Sequence, residues 1–198
     1  RKLQSPVSAE TLALFQKGHQ FEELVRETDF PGGINIKEKV GDFQYFNSYT
    51  RHLLQIEKTV TLYEATLIED NILVMFDILT KDENGYYNIY EIKLNTNYND
   101  TISQDMGIQY FVAKKRFGDR LNTFNVILRK EQEDETTSPE WIIINKSHEL
   151  EHYLESIKQK INQFKDVLIN DEPDIPMGAH CHSPFDCRFI DYCKDFSS

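Results

Sequence analysis

The sequence predicts an α/β protein in which a mixed central sheet of about five strands is flanked by helices and followed by a cysteine-rich C-terminal tail. Residues 59–94 carry three strand-like runs separated by short turn signals, and helical patterns stand before and after them. This order favours a sheet covered by helices. All three cysteines lie after residue 178. We therefore expect residues 1–177 to form an α/β domain and residues 178–198 to form a tail that packs on it.

The helices are predicted from apolar residues at helical spacing and from capping residues. Ser8 is a suitable N-cap for the first helix, and the Pro-Gly-Gly sequence at 31–33 ends it. Residues 34–47 are aromatic-rich and broken by glycine, and they favour neither helix nor strand. The remaining helices are expected at about 47–58, at 101–117 and from Ser147 to about Ile169.

The strands are predicted from runs of β-branched, aromatic and aliphatic residues bounded by turn residues. Glu69-Asp70 is expected to turn the chain between the first two strands, and Asn84-Gly85 marks the turn before the third. Residues 131–139 are expected to form a charged loop. The five strands are expected at Thr59–Ile68, Asn71–Thr80, Tyr86–Leu94, Asn122–Lys130 and Trp141–Asn145.

Composition narrows the class of protein. A chain of 198 residues is long enough to bury a core without disulfides. Its 22 basic against 33 acidic residues give a net charge of −11, which excludes nucleic-acid binding by bulk positive charge, so any such site is local or uses bound metal ions.

Three cysteines favour a reducing compartment, and we expect a cytoplasmic protein. No apolar run approaches the roughly 18 residues of a membrane span, so no membrane partner is expected. Because the chain opens at Arg1 without a methionine, we expect part of its N-terminus to lie upstream.

Two acidic residues and a lysine stand out in the second and third strands. Asp77 and Glu91 each lie seven residues from Asn84, so a hairpin that turns around Asn84 sets them opposite each other. Lys93 shares the face of Glu91, because side chains alternate along a strand. Two adjacent carboxylates in apolar strands repel each other unless a positive charge compensates. Mg²⁺ or Mn²⁺ is the natural compensator.

Further polar residues are expected near this cluster. With a turn at Glu69-Asp70, Glu64 falls opposite Met75, on the face of Asp77. Asp105 and Gln109 share one side of the following helix, where Gln109 lies among apolar residues. The alternative interpretation is a solvated strand face or a structural ion pair that needs no metal.

These residues resemble the PD-(D/E)XK nuclease superfamily, in its RecB-like branch. The similarity rests on Asp77, on Glu91-Ile92-Lys93 and on Gln109, and it covers roughly residues 10–195. The branch includes CRISPR-associated RecB-like exonucleases and bacterial proteins of unassigned function that end in a cysteine cluster. The resemblance implies a restriction-endonuclease-like core.

The same resemblance implies roles for the matched residues. Asp77 and Glu91 would be metal ligands, and the Ile92 carbonyl would be a further ligand. Lys93 would orient or activate the attacking water. Gln109 would position the site or the nucleic acid.

Two departures from the branch leave alternatives open. The branch often has a histidine four residues after a glycine of the first helix; after Gly18 that position is Glu22. Glu22 replaces that ligand, or His19 reaches the site, or neither contributes. Where the branch has a tyrosine four residues after the glutamine, this chain has Ala113. The two departures indicate either a weakened site or one that is simply divergent from the branch.

The cysteine tail has the spacing C-x5-C-x5-C, formed by Cys181, Cys187 and Cys193. From the residues alone, two interpretations remain: three buried structural thiols, or a Zn²⁺ site with His180 or His182 as fourth ligand.

The resemblance adds a third interpretation of the tail. Nucleases of this branch with such a tail carry a [4Fe–4S] cluster held by one early and three late cysteines. The early cysteine commonly lies in a Cys-Pro-Arg-Lys-like stretch, and the opening Arg1-Lys2-Leu3 resembles its remainder. The first ligand would then lie just upstream, and the cluster would tie the tail to the N-terminal helix.

The predicted function is a metal-dependent nuclease that hydrolyses phosphodiester bonds, with DNA as the favoured nucleic-acid partner. Asp77 and Glu91 would hold the metal, assisted by Glu64 or Glu22, and Lys93 would act on the water. The alternative is a nuclease-fold module that has lost activity and acts in nucleic-acid binding, or a structural metal or iron–sulfur protein.

Overall fold

The computed structural model describes residues 4–131, 138–183 and 185–196. Most of the predicted loop 131–139 and the Arg1-Lys2-Leu3 stretch lie outside these residues. Helices α1–α6 span Ala9–Asp29, Ile36–Val40, Phe46–Ile56, Asp100–Phe117, Ser147–Ile169 and Ile190–Phe196. Strands β1–β6 span Ile34–Asn35, Val60–Glu69, Ile72–Lys81, Tyr87–Lys93, Leu121–Arg129 and Trp141–Asn145.

The strands form one open mixed sheet in the order β1-β2-β3-β4-β5-β6. The pairs β1–β2 and β4–β5 are parallel, and the other three pairs are antiparallel. Helix α4 connects the parallel strands β4 and β5, which a short turn cannot join. The predicted α/β class with a mixed sheet is confirmed, and the described residues contain six strands where about five were expected.

The additional strand and the helix after it lie in the stretch 34–47 that favoured neither element. Strand β1 is only two residues long and pairs with β2. Asn35 caps α2, because its side-chain oxygen accepts hydrogen bonds from the N–H groups of Lys37 and Glu38. Gly41 follows α2 with φ of 73°, a backbone conformation that favours glycine.

Helices cover both faces of the sheet within residues 18–160. On one face, buried apolar residues of α3, of α4 and of the start of α5 pack with those of β2–β5. On the other face, Phe21 and Val25 of α1 pack with Ile78, Ile92 and Ile127. Strands β3, β4 and β5 are therefore apolar on both sides, which explains why they lack a simple alternation of apolar and polar residues.

The predicted register of the β3–β4 hairpin is confirmed. The pairs run from Lys81 with Tyr87 to Ile78 with Tyr90, and all of them are symmetric about Asn84. A continuation by one residue would set Asp77 level with Glu91.

The predicted register of the β2–β3 hairpin is wrong. Thr66, not Glu64, pairs with Met75. The turn consists of Asp70 and Asn71, with φ of 53° and 62°, instead of Glu69-Asp70. Two central residues with positive φ are typical of a type I′ turn, whose twist matches that of the flanking strands.

The chain divides into two compact units, residues 18–160 and residues 1–17 together with 161–198. The first unit contains the sheet. In the second, the backbone N–H of Ser5 donates to the carbonyl of Arg188 at 2.7 Å, and the Ser5 hydroxyl donates to Asp191 at 2.6 Å. The described part of the N-terminal segment is thus bonded to the segment that carries the last cysteines. In the ranges that the structure describes, no helix combines the length and the apolar character needed to cross a membrane.

Candidate active site

The candidate site lies where the pairing of β2 with β3 is interrupted. The pairing skips Glu64 and Asp77, which lie level with each other, and Glu64 has φ of 54°. Phe76 and Ile78 belong to the clusters on opposite faces of the sheet, although residues two apart in a regular strand share a face. Both strands are therefore locally irregular here. The register is the same on both sides of the interruption, so neither strand carries an inserted residue.

Asp77 lies just beyond the end of the β3–β4 pairing. There its Oδ2 atom accepts a hydrogen bond from the backbone N–H of Ile92 at 2.7 Å. A side-chain carboxylate thus takes the place that a strand carbonyl would have in a longer ladder. This bond fixes Asp77 beside the strand segment that carries Glu91.

Glu91 and Lys93 lie on the side of β4 that faces α4. The Lys93 Nζ atom is 2.8 Å from Oε1 of Glu91 and 2.6 Å from Oδ2 of Asp105 in α4. Glu91 is only 5% exposed. The lysine therefore bridges a buried carboxylate and a more exposed one, and only its contact with Glu91 follows from the predicted shared face.

Burial and like charges shift the pKa values of this cluster. Burial raises the pKa of Asp77 well above its ordinary value, and the negative charges of Glu91 and Glu22 raise it further. Burial also raises the pKa of Glu91, against the opposing effect of Lys93. For Lys93, burial lowers the pKa, but the two carboxylates raise it more, and the net shift is upward.

Buried Glu91 and half-buried Asp77 are incompletely compensated. Oε2 of Glu91 is buried and accepts no hydrogen bond from the described residues. An uncompensated carboxylate oxygen beside a second acidic group fits a divalent cation, which takes oxygen ligands and completes its shell with waters. Within the described ranges, however, no three His, Cys, Asp or Glu side chains are grouped so that they could hold a metal ion. The protein side chains that fit are therefore the pair Asp77 and Glu91.

Glu64 has other partners. Its Oε1 accepts a hydrogen bond from Arg26 at 2.9 Å, and its Oε2 lies 3.4 Å from Lys37. Arg26 also lies 3.6 Å from Glu22 and donates to the carbonyl oxygen of Asp77 at 3.4 Å. Both oxygens of Glu64 are thus engaged by cations of the protein. We assign the main charge compensation of Glu64 to Arg26.

Of the two first-helix candidates, Glu22 is nearer to the cluster. Its charge acts on Asp77, whereas the His19 side chain is 70% exposed and lies 3.5 Å from Glu22. His19 thus reaches the site only through Glu22.

An open cleft of about 560 Å³ adjoins this part of the site. Its lining includes Glu22, Arg26, Gly33 and Tyr63. Gly33 is required sterically, because a Cβ atom there would lie 2.3 Å from the Tyr63 ring. The Tyr63 hydroxyl accepts from the Gly33 N–H at 3.0 Å and donates to the carbonyl of Phe30.

Gln109 and Ala113 lie on the buried side of α4. Oε1 of Gln109 is buried without a hydrogen-bond partner among the described residues, and the Gln109 amide lowers the pKa of Glu91. Ala113 is completely buried in the main core cluster. Gln109 therefore lies beside Glu91, while position 113 contributes to packing.

Sequence reasoning missed Arg26, and it missed the bond between Lys93 and Asp105. The signal for Arg26 was present, since Glu22 and Arg26 are four residues apart on α1 and such pairs face each other. The Asp105 bond depends on how α4 packs on β4, which spacing along the chain does not give.

The three cysteines lie in the second unit and form no disulfide among the described residues. Cys181 is buried, and Cys187 and Cys193 are half-buried. The Cys187 N–H donates to the Cys181 carbonyl at 2.7 Å, so the backbone of this segment is folded back on itself. In the described segment these thiols are not grouped as a metal ligand set. A [4Fe–4S] cluster and a Zn²⁺ site at the tail both stay predictions.

Comparison of the chain with protein-family models, with curated proteins and with solved structures gave no match. The functional interpretation therefore depends on the chemistry of the residues above.

Proposed function

We propose that this protein is a metal-dependent nuclease that hydrolyses phosphodiester bonds. The observation that supports it best is the pair of buried Glu91 and half-buried Asp77, in which one oxygen of Glu91 has no hydrogen-bond partner among the described residues and the other lies 2.8 Å from Lys93. Buried acidic groups with raised pKa values are costly for folding and are common at functional sites. A cation between them, together with the Ile92 carbonyl and water, would offset that cost.

Each residue has a role that follows from its contacts. A divalent cation bound here supplies charge neutralisation for phosphoryl oxygens and acidifies a bound water. Lys93 is held protonated by Glu91 and Asp105, so its Nζ donates hydrogen bonds to the attacking water or to a phosphoryl oxygen and does not act as the base. Asp77 is held in place by the Ile92 N–H. Gln109 orients Glu91 through its amide.

DNA is the proposed substrate. At a net charge of −11, the chain as a whole repels a polyanion. A cation at the Asp77–Glu91 pair would provide local positive charge. A cytoplasmic location is also proposed, because three cysteines favour a reducing compartment.

The test is cleavage of labelled single- and double-stranded DNA and RNA with Mg²⁺ or Mn²⁺. We expect Asp77→Asn and Lys93→Met each to reduce cleavage by about 10²-fold or more. Asp166→Asn and Lys158→Met are matched controls, because both side chains are exposed on α5. Binding of Mn²⁺, measured by electron paramagnetic resonance, should be lost in Asp77→Asn and kept in Asp166→Asn. Cleavage that survives in both site variants would contradict the proposal.

A second candidate is a nuclease-fold module that binds nucleic acid without cleaving it. It is favoured by the lack of a three-residue metal group in the part of the chain described here, and by the engagement of Glu64 with Arg26 and Lys37. In this case the wild-type protein retains labelled DNA on a native gel but leaves it intact with either metal. A structural metal or iron–sulfur role of the tail would instead give bound zinc or iron in anaerobically purified full-length protein.

A further inference from the structure

A second, separate depression lies at the C-terminal end of α4 and is lined by three arginines. Its volume is about 410 Å³. Arg51 comes from α3, Arg116 from the last turn of α4, and Arg120 from the short turn before β5. No acidic residue lines it, whereas the cleft beside the candidate active site is lined by four glutamates. In a chain with a net charge of −11, this is a local concentration of positive charge.

The three guanidinium groups are only partly compensated. Nη1 of Arg51 and Nη1 of Arg116 lie 3.8 Å and 3.9 Å from the same oxygen of Glu69, beyond hydrogen-bond distance. Arg120 forms no ion pair with a described residue. One carboxylate thus lies near two of the three cations, and the like charges repel each other unless an anion lies between them. Structural stability alone gives no reason for this arrangement.

One wall of the depression contacts Arg120. Nη1 of Arg120 lies against the β3–β4 turn, where a Cβ atom on Gly85 would be 2.9 Å away. Tyr87 and Phe117 stack with ring centroids 4.0 Å apart beneath the depression. Gln55 adds an amide to the rim. The guanidinium groups therefore surround one small, firmly based space.

We propose that this depression binds a phosphate group. The planar guanidinium fork matches phosphate oxygens, and charge-assisted bonds of this kind are among the strongest in proteins. The phosphate comes either from a free phosphorylated compound or from the backbone of a nucleic acid, and the two sources share this chemistry. Tyr87 begins β4 and Lys93 ends it, so the depression is about 20 Å from the candidate active site at ~3.3 Å per residue. The proposal does not depend on the nuclease function.

The experiment is a two-dimensional ¹H–¹⁵N NMR titration of the full chain without divalent cations. One arm uses inorganic phosphate and the other uses a short single-stranded oligodeoxynucleotide. We expect shifts at the amides of residues 116–121 and of Gly85. The variant Arg51→Gln/Arg120→Gln should bind the phosphate-bearing probe about tenfold more weakly or worse, since it removes two groups that could form charge-assisted hydrogen bonds with phosphate. The control Lys58→Gln/Lys158→Gln changes net charge equally at exposed positions and should bind as the wild type does.

Each outcome decides the question. Shifts with phosphate that the arginine variant loses support the site. If the variant also weakens the oligonucleotide, the source is a nucleic acid; if not, the source is a free phosphorylated compound. Absence of shifts with both probes overturns the proposal, as does an equal loss of binding in the lysine control. The single variants Arg51→Gln and Arg120→Gln repeat the measurement if the double variant does not fold.

Discussion

Replacing Lys93 by methionine tests the electrostatic description of the candidate active site. The substitution keeps the length of the side chain and removes the charge that compensates Glu91. Breaking a buried ion pair by removing one partner costs about 3–5 kcal/mol, because it leaves a buried charge uncompensated. Since Lys93 is 24% exposed and Glu91 is 6% exposed, solvent reduces this to about 2–3 kcal/mol at neutral pH. For a chain of this size that lowers the melting temperature by roughly 5–10 °C.

The loss of folding stability in Lys93→Met should depend on pH. Without Lys93 the folded-state pKa of Glu91 rises further, while its unfolded-state pKa stays at about 4.3. The penalty therefore applies in full above the raised pKa, decreases as pH falls, and disappears below about 4.3, where Glu91 is protonated in both states. Urea denaturation of the metal-free proteins between acid and neutral pH measures it.

The double variant Lys93→Met/Glu91→Gln provides the control. It removes the charge that Lys93 compensated, so most of the neutral-pH stability should return. A Lys93→Met protein that loses the same stability at acid and neutral pH, or that Glu91→Gln does not rescue, would refute the described electrostatics.

Three further predictions follow from the same contacts. Because burial raises the pKa values of Asp77 and Glu91, the metal-free wild-type protein should lose stability as pH rises from about 4 to neutrality, and saturating Mg²⁺ should remove much of this loss in chemical denaturation. Glu64→Gln should lower the free energy of unfolding in urea by about 2 kcal/mol, because the Glu64 carboxylate pairs with Arg26 and Lys37. Metal-dependent cleavage should remain measurable in this variant. If a folded Glu64→Gln protein does not cleave at all, Glu64 is instead a metal ligand. Gly33→Ala should cost about 3 kcal/mol by displacing the Tyr63 ring and its two hydrogen bonds, and a thermal melt indistinguishable from the wild type would contradict this.

The sequence predicted the β3–β4 part of the site because its turn is unambiguous. An Asn-Gly pair between two apolar runs sets the register, and the register determines that Glu91 and Lys93 share a face. The β2–β3 turn carries a weaker signal. Glu69-Asp70 and Asp70-Asn71 are both plausible turns, and the choice between them shifts the register, so that every residue of β2 pairs with a different residue of β3.

Other features could not be predicted because they depend on tertiary contacts. The irregularity at Glu64 and Asp77 changes which residues face each side of the sheet. The sequence gives no signal for it, because the residue with positive φ is a glutamate and not the glycine that usually adopts this conformation. Arg26 reaches Glu64 only because α1 packs across the sheet. Strand β1 is too short for a periodic pattern, although Asn35 and Gly41 mark the two ends of the helix that follows it.

The bond between the Ile92 amide and Asp77 makes a backbone nucleus sensitive to the charge of a reactive side chain. The ¹⁵N and ¹H resonances of Ile92 should move whenever that carboxylate gains a proton or a ligand. A single peak in a spectrum of unmodified protein would then report ionisation and occupancy together, with no dye, tag or substrate added.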